Sequence, residues 1–144
     1  MYDDSTIGYM VDSGFVSGWK GNYITSNTVN TTTQVPIGSQ YVVLEGENAG
    51  TKILVMGFLY HQTDNCDSVT VIDPQVSVTE PWWNDAMVEA GSVDAVVVLS
   101  HMDLSDPNTL VLLNAIRDVH PNLPVQFLTG HTHYRGFSKL DHMS

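Results

Sequence analysis

Residues 93–103 read VDAVVVLSHMD and residues 124–133 read PVQFLTGHTH. Each segment is an apolar, strand-forming run that ends in a histidine. The run 93–99 is almost continuously β-branched, the pattern of a strand buried on both faces. Between the two, Asp106-Pro107 is a helix-start signal, and Leu112, Ile116 and Val119 recur at helical spacing up to His120-Pro121. Strand, helix and strand within about 35 residues form a βαβ unit, so strands at about 94–99 and 124–128 should be adjacent and parallel. Ligands of open α/β sheets bind beyond the carboxyl ends of such strands. That is where His101, His131 and His133 fall. If the backbone stays extended through Gly130-His131-Thr132-His133, alternation puts the last two imidazoles on one face, with Cα atoms roughly 6.5–7 Å apart. Imidazole suits zinc, iron, manganese or nickel, so three imidazoles at one sheet edge point to a metal site.

Working outward, residues 40–45 (QYVVLE) and 51–60 (TKILVMGFLY) flank the turn-forming Gly46–Gly50 and read as an antiparallel hairpin. Residues 81–90 should be a helix: Thr79 or Glu80 can cap it, Pro81 fits its first turn and Gly91 ends it. Its apolar face of Trp82, Trp83, Ala86, Met87 and Ala90 is core. Residues 22–34 are rich in β-branched side chains, as in strand and turn. Residues 4–16 read as a short helix interrupted by glycines, with Ile7, Tyr9, Met10 and Val11 partly inward, and 61–79 as the longest irregular loop.

The chain has 144 residues, about one domain, with 42% hydrophobic and 15% charged residues, a globular composition. Its 16 acidic and 5 basic residues, net −11, argue against a nucleic-acid polymer or an anionic membrane surface as partner. A phosphate-bearing ligand would need cations from elsewhere. The single Cys66 excludes an intrachain disulfide and a cysteine-based zinc site, which leaves histidines and carboxylates as ligands. No run is long enough for a membrane span, and no targeting signal fixes a compartment. Asn30-Thr31-Thr32 is a glycosylation sequon, relevant only in a secretory or vacuolar setting. Among the remaining histidines, His120 suits a helix end, His142 a solvated tail and His61 a loop. Asp103 is placed either to orient a ligand histidine or to cap a loop.

The order VVVLSHMD, helix, FLTGHTH resembles the C-terminal half of the calcineurin-like metallophosphoesterase domain, in the branch that contains 5′-nucleotidase-like proteins. The likeness centres on residues 94–136, and on it residues 1–144 correspond to that half of the domain. What the resemblance implies is a sandwich of mixed sheets flanked by helices, two divalent ions (manganese, zinc or iron), and hydrolysis of a phosphorylated small molecule. Under it His101 and His131 would bind one ion and His133 the other, with Asp103, Thr132 and Asn108 as supporting or substrate-side positions. The family's D-x-H, G-D and GNH[DE] motifs, which carry the bridging aspartate and a catalytic histidine, are expected to be absent from this chain. The chain by itself is therefore expected to be weakly active or inactive, and to expose apolar surface through which it could self-associate. A noncatalytic metal- or ligand-binding module, or an inactive truncated product, is the competing expectation.

Overall fold

A β-branched run pairs wherever a neighbouring strand can satisfy its backbone, and four such runs here make one sheet. The computed structural model describes residues 3–60 and 66–142. Along the chain lie α1 (Asp4–Asp12), α2 (Phe15–Gly18), β1 (Thr28–Asn30), β2 (Tyr41–Glu45), β3 (Lys52–Leu59) and β4 (Val69–Val71). They are followed by α3 (Pro74–Ser77), α4 (Pro81–Ala90), β5 (Ala95–His101), α5 (Pro107–Val119) and β6 (Val125–Thr129). The main sheet has the order β2-β3-β5-β6, and β1 and β4 form a separate antiparallel pair. The hairpin β2–β3 is antiparallel, with Tyr41 opposite Met56, whereas β3–β5 and β5–β6 are parallel. The mixed α/β fold and the adjacent parallel strands expected from sequence are both present.

Strand alternation sends Leu54, Met56 and Phe58 of β3, Val96 and Val98 of β5, and Val125 of β6 to one face. There they meet Trp82, Trp83, Ala86, Met87 and Ala90 of α4 and Leu112, Leu113 and Ile116 of α5. Full burial of each large side chain is worth about 1.5–3 kcal/mol, so this layer dominates the favourable side of folding. Asp106 caps α5 by accepting from the Asn108 amide at 2.9 Å, and Pro107 occupies its first turn.

Several expectations are corrected. β5 is not buried on both faces: Val96 and Val98 are covered, while Leu99 is 41% exposed. Both α4 and α5 pack on one side of the sheet, and Leu44 and Leu128 on the other side are exposed as well. In α5, Thr109 and Leu113 join the buried stripe, and Val119 turns outward at 53% exposure. Near the start, Ile7 is buried but Tyr9 and Val11 are exposed, because α1 presents a single narrow face to the rest of the fold. Residues 61–79 are not one loop: β4 and α3 lie within them, because Val69 and Val71 alternate toward the core and Asp73-Pro74 starts a helix, Asp73 accepting from the Gln75 amide. His61 lies outside the described residues. Among those described, no helix is long and apolar enough to cross a membrane.

One segment missed by periodicity shapes the carboxyl end of the sheet. Beyond Met56, β3 has run past the end of β2, and Ser26 and Asn27, just before β1, take its place. Ser26 donates its amide to the Gly57 carbonyl at 2.7 Å and accepts from the Gly57 amide through its hydroxyl at 2.8 Å. A side chain on Gly57 would meet the Ile24 carbonyl at 3.0 Å, so glycine permits this approach. Asn27, wholly buried, accepts from the Leu59 amide at 2.9 Å and donates to the carbonyls of Leu59 and Ile72 at 2.9 and 2.8 Å.

Candidate metal-binding site

The register of the parallel strands decides which residues meet at the carboxyl edge. Leu59 is opposite His101 and Ser100 is opposite Thr129, so the residues just beyond β3, β5 and β6 converge there. The Gly130 amide donates to the Ser100 carbonyl at 3.0 Å and carries the β5–β6 ladder one residue further. Then the chain turns. His131 has φ +80° and the Thr132 amide bonds the Gly130 carbonyl at 3.1 Å, a γ-turn with positive φ at its centre. His133 follows in the left-handed region at φ +57°. The expected extended backbone through Gly130–His133, with both imidazoles on one face by alternation, is therefore not found.

The turn instead folds His131 back onto β5. Its Nδ1 lies 3.3 Å from His101 Nε2, with ring centroids 5.1 Å apart and planes at 70°. Partial burial, then the neighbouring His131 and His133, push the His101 imidazole below its usual range, so its neutral, ligating form is favoured. His133 makes no hydrogen bond or ring contact with His101 or His131 among the described residues. Tyr60, the last residue of the strand expected over 51–60, packs its ring 4.8 Å from His131 and 6.4 Å from His101. The sequence signal for Tyr60 is its place one residue beyond β3, which points to the site only through the parallel pairing of β3 with β5.

The supporting positions divide. Asp103 accepts from the amide and hydroxyl of Ser105 rather than from a histidine. Those bonds, with a lesser pull from the Thr132 hydroxyl, hold its carboxyl down at about 2. Asn108 belongs to the first turn of α5, where its amide bonds Asp106. His120 closes the other end of that helix, its Nε2 lying 2.7 Å from the Met87 carbonyl, and His142 is exposed. The letters D-x-H do occur once, at Asp118-Val119-His120, but at this helix end and away from the sheet's carboxyl edge. Ser100 Oγ is buried with no hydrogen-bond partner among the described residues.

The 3.3 Å between the two imidazole nitrogens can be tested against metal geometry. Ligands held about 2.0–2.1 Å from a tetrahedral zinc stand roughly 3.3–3.4 Å apart, so the pair fits one edge of such a shell. Two nitrogens do not close it. Among the described residues, no three histidine, cysteine, aspartate or glutamate side chains form a group able to hold an ion.

No family model matches the chain. It is 32% identical over 136 residues to an uncharacterized protein of Schizosaccharomyces pombe, covering 90% of this chain and 22% of that protein. An uncharacterized protein of Saccharomyces cerevisiae is 30% identical over 137 residues, covering 89% and 23%. A protein of Arthroderma benhamiae described as secreted is 29% identical over 146 residues, covering 96% and 22%. The chain therefore spans less than a quarter of the length of these relatives. Among solved structures it superposes on the 5′-nucleotidase of Candida albicans with TM-score 0.83 and 21% identity, over 92% of this chain and 26% of that one. The fold is that of about a quarter of a 5′-nucleotidase. A second likeness, to the sulfate thiohydrolase SoxB of Thermus thermophilus, has TM-score 0.51 and 19% identity over 84% of this chain and 21% of that one. At these identities the nucleotidase likeness concerns the path of the backbone.

Proposed function

We propose that this chain is part of a metal-dependent phosphoester hydrolase of the calcineurin-like type, a phosphatase or nucleotidase with a dinuclear centre. The observation that carries the reading is the 3.3 Å approach of His131 Nδ1 to His101 Nε2 beyond two adjacent parallel strands. In it His101 and His131 hold one divalent ion (manganese, zinc or iron) and His133 belongs to the other. The ions, when bound, supply positive charge to the phosphoryl oxygens and acidify a water. This chain's own residues present imidazole nitrogens, that of His101 kept neutral by partial burial and its neighbours, and stack Tyr60 against His101 and His131. The acidic balance of the chain fits a phosphorylated small molecule only with such cations in place. The remaining ligands, including a bridging carboxylate, come from other parts of the polypeptide, and the chain alone turns over little substrate.

The reading includes a compartment. The A. benhamiae relative is described as secreted, and we extend a secretory or vacuolar setting to this chain.

The test measures manganese or zinc uptake together with hydrolysis of p-nitrophenyl phosphate and AMP by the whole polypeptide that carries this chain. His131→Ala and His133→Ala should each lower metal affinity and activity at least tenfold, whereas His120→Ala and His142→Ala should leave affinity within about twofold. Equal losses from all four, or hydrolysis indifferent to chelator, would overturn it.

A further inference from the structure

We propose that Asn30 is an N-glycosylation site, taking an oligosaccharide through its side-chain nitrogen. Asn30-Thr31-Thr32 is the chain's single Asn-x-Ser/Thr triplet. The triplet sits at the end of β1, where the chain leaves the two-stranded sheet for a short exposed loop. That loop is closed at its base by the Asn30 amide donating to the Val35 carbonyl and the Gln34 amide donating to the Asn30 carbonyl, each at 2.8 Å. Residues 31–35 between these bonds are exposed.

Within the loop the Asn30 side chain is held in one orientation. Its Oδ1 accepts from the amides of Thr32 and Thr33, both at 3.0 Å, and from the Thr33 hydroxyl at 3.2 Å. The carboxamide is planar, with oxygen and nitrogen on opposite sides of the Cβ–Cγ axis. An oxygen facing the loop interior therefore turns Nδ2 away from it, and none of these three bonds uses Nδ2. A sugar on Nδ2 would leave the capping interactions of Oδ1 intact, so the modified chain can fold to this structure unchanged. Thr32 contributes only its backbone to the cap, which leaves its hydroxyl available to the recognition that the triplet requires.

The transfer joins Asn30 Nδ2 to C1 of the first sugar of an oligosaccharide carried on a polyprenyl diphosphate. The bond from C1 to the diphosphate oxygen breaks, the polyprenyl diphosphate leaves with the electron pair, and one amide proton passes to a base of the transferase. The glycan is carried by the β1–β4 sheet, a different sheet from the one that bears the histidines.

This inference rests on the secretory setting proposed above, and two arms of one experiment keep the two apart. In the first, the whole polypeptide is directed through a yeast secretory pathway by an added signal peptide. It is then treated with peptide:N-glycosidase in heavy-oxygen water and mapped by mass spectrometry. Conversion of Asn30 to isotopically tagged aspartate is expected, together with a mobility shift that is lost in Thr32→Ala and kept in Thr32→Ser. An untagged Asn30 in the folded, exported protein would overturn the proposal, as would a shift that survives Thr32→Ala. The second arm maps the protein recovered from its own cells. Tagging there supports both inferences, and its absence after a positive first arm overturns the compartment while the site stands.

Discussion

His131 and His133 both occupy positive φ, where a Cβ crowds the following carbonyl and a non-glycine residue loses roughly 1–2 kcal/mol. Gly130, the one residue in the turn that could adopt such a conformation freely, does not take it. Strain of this kind persists where the surroundings impose it, and here it returns an imidazole to β5. The expected consequence is that His131→Gly unfolds at higher denaturant than His131→Ala, by about 1 kcal/mol, although both lose the ring. Equal midpoints would mean that the turn is relaxed. Asp103 makes a prediction in pH. Its carboxyl is lowered to about 2 by Ser105 and Thr132, below the ordinary aspartate value of about 3.9. The stabilisation it gives to the loop after β5 is thus full above roughly pH 4 and disappears as the pH falls toward 2. Replacing it by Asn should flatten that limb of an acid titration of stability, and an unchanged limb would show that other carboxylates dominate.

At the scale of elements, the sheet is completed by a segment that is not a regular strand. Ser26 and Asn27, just before β1, pair with the end of β3, and Asn27 also reaches the Ile72 carbonyl beyond β4. Asn27→Ala would leave the amide of Leu59 and the carbonyls of Leu59 and Ile72 without this partner in a buried place. A loss of about 3 kcal/mol in denaturant unfolding is expected. Asn27→Asp should recover little of it, since a carboxylate cannot donate to the two carbonyls. A loss below about 1 kcal/mol would show that water or a neighbour replaces the amide. Asn27 also marks the limit of periodicity. The hairpin, α4, α5 and the β5–β6 pair each follow from local hydrophobic spacing or a cap. The polar segment around Asn27 is ordered by side-chain bonds to residues 32 and 45 positions away, which no local pattern records.

For the molecule as a whole, the histidine edge was legible because two strand ends and a βαβ connection place it by topology. Its detailed geometry was not, because the turn at Gly130–His133 departs from alternation. Tyr60 was hidden for a related reason: its neighbours are set by the parallel pairing of β3 with β5. Covering of the sheet was not legible, because a run of valines is equally compatible with one covered face or two. On the face away from α4 and α5, Val55 is buried, while Leu44 at one end and Leu99 and Leu128 toward the carboxyl edge stay exposed, at 45%, 41% and 55%. We expect the Leu99–Leu128 pair to favour association of the isolated chain. Sedimentation velocity should show mass rising with concentration, and Leu99→Lys combined with Leu128→Lys should reduce it. A monomer throughout the accessible range would remove the argument.

The Asn27 junction has one more consequence, for how the molecule breathes. The Leu59 amide is satisfied by Asn27 Oδ1, and the Ile72 amide by the Asn27 carbonyl. These two hydrogens, from the ends of strands in different sheets, are guarded by one residue. Deuterium should therefore enter both at a common opening free energy, making the end of β3 and the chain beyond β4 a single cooperative unit despite their separate ladders.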